Sequence, residues 1–274
     1  MGMKKVFITY GDENFIKSRD RLKAEAIATG EFDNVIAYGV SDLSPELKSS
    51  SVFKMPKGGM WSWKPDVIHT TLQRLDDGDI LMYLDAGSSV VGGSEWGRYW
   101  VKLQSHEMIA QRIYGITKKW TRKSLMDFFP DAGQRWRNDY QYSAMIVMLK
   151  VSPFTRLLIE RWRRTMISHP ELIEDVPPGA IKLEAPGFHQ NRYDQAVYSA
   201  LIHEALNNKS DRGRIYTQWE HVEDRDPFRS QVVFATRIGD KRTCRSIDSL
   251  SAGKRMVRDF ALIPILSFYR MLAV

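Results

Sequence analysis

Hydrophobic positions along the chain follow two spacings, one typical of buried strands and one typical of amphipathic helices. Short runs rich in β-branched and aromatic residues at 5–10, 35–38 and 80–84 predict buried strands. Between the first two runs, residues 15–29 carry apolar side chains at helical spacing, and Gly30 predicts the end of that helix. A strand, a helix and a second strand in this order favour a parallel α/β sheet.

The alternation of strands and helices continues in the rest of the chain. Residues 65–75, 152–167 and 194–206 have helical periodicity, and the apolar run at 144–149 predicts another strand. Residues 91–139 are rich in Trp, Arg and Lys, and we expect this segment to be irregular. The predicted fold class is therefore α/β, with a Rossmann-like, mostly parallel central sheet flanked by helices.

The composition is that of a globular protein. The 274 residues are 43% hydrophobic and 27% charged, which is enough for one large domain with a core and excludes a disordered chain. The single cysteine, Cys244, excludes a disulfide framework and a multi-cysteine zinc site, and it indicates a reducing compartment. The N-terminal apolar run is too short for a signal peptide. These observations predict a cytoplasmic location.

The positive charge is concentrated at the C-terminal end. The formal net charge is +7, and residues 237–274 hold eight basic and three acidic side chains, so +5 lies there and +2 remains for the rest. We therefore divide the chain into a main domain, 1–240, and a basic, apolar, helical tail, 241–274. The tail is typical of a segment that lies on the inner face of an anionic membrane, or of a helix packed on its own core. Nucleic acid is a disfavoured partner because no recognised binding motif carries the charge.

A carboxylate stands at the end of the most strand-like segment, 80–84. Asp85 follows this strand directly, at the edge where open α/β sheets bind their ligands. A carboxylate in that position can hold Mn²⁺ or Mg²⁺, which complete their coordination shells with substrate phosphates. The alternative is a carboxylate that only caps the turn after the strand.

An aromatic loop with a lysine precedes the helix predicted at 65–75. Trp61, Trp63 and Lys64 follow two glycines, and two aromatic faces beside a cation suit a site that stacks a ring and neutralises a phosphate. The alternative is that the tryptophans fill gaps in the core.

A polar cluster opens the helix predicted at 194–206. Arg192, Asp194, Gln195 and the nearby His189 come after a stretch rich in Pro and Gly, which is typical of an acceptor or leaving-group site. Acidic residues are also common in the first turn of helices, so Asp194 could serve only as a cap.

Four motifs occur in a fixed order along the chain: Trp61-Ser62-Trp63-Lys64-Pro65, Asp77-Gly78-Asp79-Ile80-Leu81-Met82-Tyr83-Leu84-Asp85-Ala86-Gly87, Trp120-Thr121-Arg122-Lys123 and Arg192-Tyr193-Asp194-Gln195. In this order they resemble a group of bacterial GT-A-type nucleotide-sugar glycosyltransferases encoded among capsule and O-antigen polysaccharide genes. The resemblance spans residues 5 to about 240. It implies a GT-A-like fold and transfer of a sugar from a nucleotide donor.

The resemblance also implies roles for single residues. The donor-binding residues would be Thr9, Tyr10, Gly11, Trp63, Lys64, Asp85, Gly87 and Arg192. The strand-end motif of the superfamily is usually Asp-x-Asp, and here Gly87 replaces the second acid. A Mn²⁺ or Mg²⁺ ion would then be held by Asp85 alone, or by Asp85 with a later ligand such as His189. Asp194 and Gln195 would be catalytic, with Asp194 as the base if the reaction inverts configuration, or either residue stabilising an oxocarbenium-like transition state if it retains configuration.

The implied reaction is the transfer of a hexose, with galactose and galactofuranose as candidates, from a nucleotide-diphosphate sugar to a lipid-linked surface polysaccharide. The expected partners are therefore that donor, the lipid-linked acceptor and, through the tail, an anionic membrane surface. Transfer of another phosphate-linked group to polysaccharide by the same sheet is the alternative reaction.

Overall fold

The computed structural model describes residues 3–220 and 231–235. The strands are β1 Lys5–Tyr10, β2 Asn34–Tyr38, β3 Ile80–Leu84, β4 Ser89–Val90, β5 Met108–Ile116, β6 Tyr140–Tyr142, β7 Ile146–Lys150, β8 Ile215–Trp219 and β9 Val233–Phe234. The helices are α1 Ile16–Thr29, α2 Pro45–Ser49, α3 Pro56–Met60, α4 Trp63–Leu72, α5 Glu95–Ser105, α6 Thr117–Trp120, α7 Lys123–Phe128, α8 Pro153–Ser168 and α9 Tyr193–Asn207. Short 3₁₀ segments join several of these elements.

Seven of the strands form one mixed sheet. Its order is β2-β1-β3-β7-β5-β6, and β8 pairs with β5. Strands β2, β1 and β3 are parallel, β7 is antiparallel to both β3 and β5, β8 is parallel to β5, and β6 is antiparallel to β5. Five of the seven described strands therefore run in one direction, and the predicted α/β fold with a mostly parallel sheet is confirmed. The short strands β4 and β9 pair separately.

Hydrophobic side chains fill both faces of the sheet. Along β1, Val6 and Ile8 pack into one buried cluster, whereas Phe7 packs into another. Along β3, Leu81 and Met82 divide between the same two clusters. Successive side chains of a strand point to opposite faces, so a sheet covered by helices on both sides needs the continuous apolar runs seen in this sequence.

The segment predicted to be irregular, 91–139, contains α5, β5, α6 and α7. Helix α5 buries Trp96, Tyr99, Trp100 and Leu103, which lie at the spacing of one helical face. The prediction of irregular structure is wrong because a segment rich in Trp and Lys still forms an amphipathic helix when its aromatic residues lie on one face.

A buried ion pair helps to join three helices. Asp66 on α4 is fully buried and accepts hydrogen bonds from the backbone N–H of Ser44 at 2.9 Å, from the Ser44 hydroxyl at 2.6 Å and from Arg163 Nε on α8 at 2.7 Å. Ser44 also caps α2 by accepting a hydrogen bond from the N–H of Leu47 at 3.1 Å. These bonds fix α2, α4 and α8 relative to one another.

The predicted tail, 241–274, lies outside the described residues, and so does the domain boundary at 240. Among the residues that are described, none of the helices is long and apolar enough to cross a membrane.

Candidate active site

Two cavities meet at the end of β3. The larger has a volume of about 720 Å³ and is lined by Tyr10, Gly11 and Trp63. The smaller has a volume of about 490 Å³ and is lined by Arg192 and Asp194. Both are bordered by three residues: Trp61, Asp85 and Met145. The residues of the first strand and those of the last motif therefore face neighbouring spaces that join at one carboxylate.

Lys64 lies between two carboxylates at this junction. Its ammonium group is 3.2 Å from Asp85 Oδ1 and 2.7 Å from Asp194 Oδ2, and its side chain is 3% exposed. The hydroxyl of Tyr83 donates a hydrogen bond to the same Asp85 oxygen at 2.6 Å. Asp85 is 31% exposed, whereas Asp194 is 8% exposed. The more accessible acid thus borders both cavities, and the buried acid lies on the side of the smaller one.

Burial and charge act together on these groups. Burial alone would lower the pKa of the Lys64 ammonium, but Asp194 and Asp85 outweigh it and raise that pKa, so Lys64 stays charged. Burial raises the pKa of Asp194, while the nearby ammonium opposes this shift and Asp85 adds to it. Burial and the neighbouring Asp85 also hold the pKa of Tyr83 well above its usual value, so its hydroxyl remains a donor.

A left-handed turn carries the aromatic loop. Five successive residues, Lys57 to Trp61, have φ between 53° and 75°, although α3 is assigned over most of this segment. Left-handed backbone costs about 1–2 kcal/mol for each residue that has a Cβ, and three of the five are not glycine. Such strain persists where the surroundings enforce it and is common at functional sites. The turn ends just before Trp63 and Lys64, so it directs both side chains toward the cavities.

Contacts across the cavities hold this turn in place. The ring of Trp61 stacks on Tyr193 at 5.1 Å between centroids, and Lys57 lies over the same tyrosine ring at 4.1 Å. Lys57 also donates to the Tyr193 hydroxyl and pairs with Asp175 at 2.9 Å. Tyr193 itself has φ of 45° at the first position of α9. The strained turn and the strained start of α9 therefore support each other.

The Trp120 motif supports the segment before α9. The guanidinium of Arg192 lies 4.0 Å from the centre of the Trp120 ring, and the N–H of Arg192 donates to the Trp120 carbonyl at 3.0 Å. A Cβ on Gly115 would lie 3.3 Å from both of these side chains, so the glycine leaves room for the stack. The Nε2 amide of Gln195 donates to Gln141 Oε1 at 2.9 Å, which fixes this side chain at the cavity wall.

Most residues predicted for the site line one of the two cavities. Those that do are Tyr10, Gly11, Trp63, Lys64, Asp85, Gly87, Arg192, Asp194 and Gln195. Thr9 is fully buried within β1 and lines neither cavity. Asp194 is more than a helix cap, because its carboxylate pairs with Lys64 and the N-cap position of α9 belongs to Arg192. Trp63 is half-buried and stacks on Tyr10 at 4.3 Å at the cavity wall.

Few side chains at the site could coordinate a metal ion. In the part of the chain that is described, no group of three or more His, Cys, Asp and Glu side chains could hold a metal. Asp85 alone still fits a Mg²⁺ or Mn²⁺ ion of the kind that takes one or two carboxylates and completes its shell with phosphate oxygens and water. His189 lines neither cavity, and its ring packs against Trp120 at 5.2 Å. Its role as a metal ligand stays a prediction.

Several side chains at the site are absent from the predicted donor, catalytic and metal-binding residues, among them Tyr83, Lys57 and Tyr193. Tyr83 stands two residues before Asp85, and the period of two in a strand was a usable signal for it. No comparable signal marked Lys57, because its contact with Tyr193 joins distant parts of the sequence.

The sequence matches no family model and no curated protein. Several solved structures are similar in fold. The galactosyltransferase LgtC, solved in complex with donor and acceptor sugar analogs, has 11% identity and a TM-score of 0.38, over 81% of this chain and 90% of LgtC. The glycosyltransferase GlyE of Streptococcus pneumoniae TIGR4 has 10% identity and a TM-score of 0.41, over 80% of this chain and 46% of GlyE.

A third similar structure is mouse xyloside xylosyltransferase 1, with 10% identity and a TM-score of 0.42, over 79% of this chain and 84% of that protein. This chain therefore spans about half the length of GlyE and most of the length of the other two. At these identities and TM-scores the likeness says nothing by itself about activity, which rests on the chemistry of the chain's own residues.

Proposed function

We propose that this protein is a glycosyltransferase that moves a hexose from a nucleotide-diphosphate sugar to a lipid-linked surface polysaccharide, with galactose and galactofuranose as candidate hexoses. One observation carries the proposal. The buried ammonium of Lys64 joins Asp85, which borders both cavities, to Asp194 on the side of the smaller cavity. Two substrates in adjacent cavities, with charged groups at the junction, are what a group-transfer reaction requires.

The larger cavity suits the nucleotide donor. The stacked rings of Tyr10 and Trp63 give it an aromatic wall, and Lys57 adds a cation. A Cβ on Gly11 would lie 2.8 Å from the carbonyl oxygen of Phe15, so the chain turns tightly there and a larger residue would displace the backbone. An aromatic wall and a lysine together match a base or ribose joined to phosphates.

Charge balance supports a divalent cation as part of the proposal. With Lys64, Asp85 and Asp194 all ionised, the cluster has a net charge of −1, which repels a diphosphate. Asp85 would hold a Mn²⁺ or Mg²⁺ ion that arrives with the donor, and the ion would supply charge neutralisation at the diphosphate. Lys57 in the larger cavity and Arg192 in the smaller would add positive charge beside the phosphates.

The proposed reaction breaks the bond between the anomeric carbon and the phosphate oxygen, and the nucleoside diphosphate leaves with that electron pair. An acceptor hydroxyl forms the new bond to the anomeric carbon and loses its proton. In an inverting reaction Asp194 accepts this proton, and its raised pKa makes it a better base than an ordinary aspartate. In a retaining reaction Asp194 or Gln195 stabilises the positive charge that develops on the sugar ring.

The lipid-linked acceptor and the peripheral location at the cytoplasmic membrane rest on the sequence. The tail at 241–274 and the resemblance to polysaccharide-building enzymes support them, and the catalytic domain would then comprise residues 1–240.

The proposal is tested by thermal unfolding with UDP, GDP, dTDP and ADP, each with and without Mn²⁺, followed by assays of the matching nucleotide sugars for nucleotide release. We expect one nucleotide to raise the melting temperature, because a ligand present at 100 times its Kd stabilises the native state by about 2.7 kcal/mol. The corresponding sugar donor should then release its nucleotide. A protein that responds to none of the nucleotides and turns over none of the donors would contradict the proposal.

A further inference from the structure

Three aromatic side chains from neighbouring strands pack together, and one of them, Tyr114, lines the smaller cavity. Tyr114 on β5 stacks on Trp219 of β8, with ring centroids 4.6 Å apart and planes 15° apart. Tyr140 on β6 packs edge-on against both rings, at 6.3 Å and 5.0 Å. We call these three residues the aromatic platform. β5 pairs with both β6 and β8, so the sheet itself brings the three rings together.

The Tyr114 ring of the platform is exposed to solvent. Tyr114 is 65% exposed, more than any other aromatic side chain in the described part of the chain. An exposed aromatic ring by itself is ordinary on a protein surface. What distinguishes Tyr114 is that its ring is held parallel to Trp219 while it also lines the same cavity as Asp194.

The neighbouring groups indicate what the platform binds. The guanidinium of Arg112 lies 5.6 Å from the centre of the Trp219 ring and supports that ring. Glu220, the next residue after β8, lines the same cavity as Tyr114. A rigid aromatic face in a cavity that also contains a carboxylate suits a sugar ring, whose C–H face is apolar and whose hydroxyl groups donate hydrogen bonds.

We propose that a sugar ring of the acceptor stacks on Tyr114 of the aromatic platform, which Trp219 supports, and that the acceptor saccharide is therefore bound in the smaller cavity. This inference rests on the proposed function and adds the position of its second substrate and the residue that holds it. The nucleotide base is assigned elsewhere, because the larger cavity has its own aromatic wall of Tyr10 and Trp63. The platform sets acceptor affinity and takes no part in the bond-breaking step.

Three variants test the platform. Tyr114→Ala removes the ring and Tyr114→Phe keeps its face. Phe128→Ala removes a ring that is 42% exposed and lines neither cavity, so it serves as a matched control. Binding of lactose, cellobiose and maltose at millimolar concentrations is followed by saturation-transfer NMR, and nucleotide binding is followed by the melting temperature with UDP, GDP, dTDP and ADP.

We expect the wild type to bind at least one of the three disaccharides. Tyr114→Ala should weaken that binding about tenfold or more, as the loss of an aromatic stacking contact implies. Tyr114→Phe and Phe128→Ala should stay near wild type, and none of the variants should change the response to nucleotides. In a transfer assay the acceptor KM should rise for Tyr114→Ala while kcat changes little.

Three results would overturn the platform. They are a wild type that binds none of the disaccharides, a Tyr114→Ala variant that binds them normally, and a Tyr114→Ala variant that loses its nucleotide response. The outcome is separable from that of the transferase proposal. Sugar binding that depends on Tyr114 in a protein without transfer activity would keep the platform and reject the reaction. Sugar transfer that is unchanged in Tyr114→Ala would keep the proposed reaction and reject the platform.

Discussion

At the scale of single residues, the proposed reaction depends most on the carboxylate of Asp194. Asp194→Asn keeps the size of the side chain but removes its charge and its ability to accept a proton. We expect kcat to fall about 10²-fold or more, the usual contribution of a positioned base. Asp127→Asn is the control, because Asp127 is an exposed ion-pair partner that lines neither cavity. Equal activity of the two variants would rule out a catalytic role for Asp194.

The same residue predicts the pH dependence of the reaction. Because burial raises the pKa of Asp194, the carboxylate is protonated at a higher pH than an ordinary aspartate. Activity that needs the ionised form should therefore fall on the acid side, at a pH above the usual aspartate range, and should be regained as the pH rises. The profile of kcat/KM against pH measures this, and the acid limb should be absent from the residual activity of Asp194→Asn.

Asp85 predicts the response to metal removal. We expect Mn²⁺ or Mg²⁺ to strengthen nucleotide binding and chelation by EDTA to weaken it, because the cluster of Lys64, Asp85 and Asp194 is otherwise negative. In Asp85→Asn the added metal should have little effect. The melting temperature with nucleotide, measured with and without the metal, gives the result. A metal effect of wild-type size in this variant would place the ion elsewhere.

These residues also show how far the sequence leads. Lys64, Asp85 and Asp194 could each be predicted from their motifs, since a strand end, an aromatic loop and a helix start are local features. The contact of both carboxylates with the one ammonium group of Lys64 could not be predicted, because it depends on how α4 and α9 pack beside β3. Thr9 was predicted beside the nucleotide, but it is fully buried in β1. The sequence pattern of a strand does not show at which residue the strand leaves the core and becomes accessible to a ligand.

At the scale of elements, the left-handed turn predicts a position-specific glycine effect. Gly59 has φ of +75°, and a Cβ there would lie 2.9 Å from both the Ser62 hydroxyl and the Val52 carbonyl oxygen. Gly30 has a similar φ of +70°, but a Cβ on it would meet no atom within 4 Å. Gly30→Ala should cost about 1–2 kcal/mol. Gly59→Ala should cost about 1–3 kcal/mol more, since the neighbours must move.

Denaturant unfolding of the two variants measures this difference. If both lose the same free energy of unfolding, crowding around Gly59 does not matter and only its φ does. A fall in nucleotide binding that is confined to Gly59→Ala would also link the turn to the site.

The buried pair of Asp66 and Arg163 predicts a second effect at this scale. Asp66→Ala leaves the Arg163 guanidinium without its buried partner and Ser44 without an acceptor, so we expect a loss of about 3–5 kcal/mol. Asp77→Ala, which removes a 59% exposed partner of Arg156, should cost no more than about 1 kcal/mol. Comparable losses in urea unfolding would contradict the structural role of the pair.

Elements could be predicted better than their arrangement. The strands at 5–10 and 80–84 and the helices near 15–29 and 152–167 agree closely with the structure. The direction of β7 could not be predicted, because a continuous apolar run has the same pattern in a parallel and in an antiparallel strand. The turn at 57–61 was predicted only as a loop, because the glycines explain two of its left-handed residues but not Lys57, Met60 or Trp61.

At the scale of the whole molecule, the distribution of charge predicts a separation of functions. Truncation after Asp248 removes Lys254, Arg255 and Arg258 together with the apolar segment that follows them. We expect it to lower binding to vesicles that contain anionic lipid, in a salt-dependent way, while turnover of a soluble acceptor is kept. Vesicle sedimentation measures this, with uncharged vesicles as the control. Unchanged binding would argue against membrane docking by the tail.

The lysine at the junction of the two cavities has a consequence for how the binding of one substrate would affect the binding of the other. One ammonium group contacts both the acid that borders the two cavities and the acid of the smaller cavity, so charge introduced in one cavity changes the electric field in the other. Donor and acceptor affinities are then thermodynamically linked, and the factor by which a nucleotide changes the affinity for a saccharide must equal the factor by which the saccharide changes the affinity for the nucleotide. Titrating each ligand in the presence of the other measures a single coupling free energy, and Lys64→Met should change it, because the ammonium group that contacts both carboxylates is then lost.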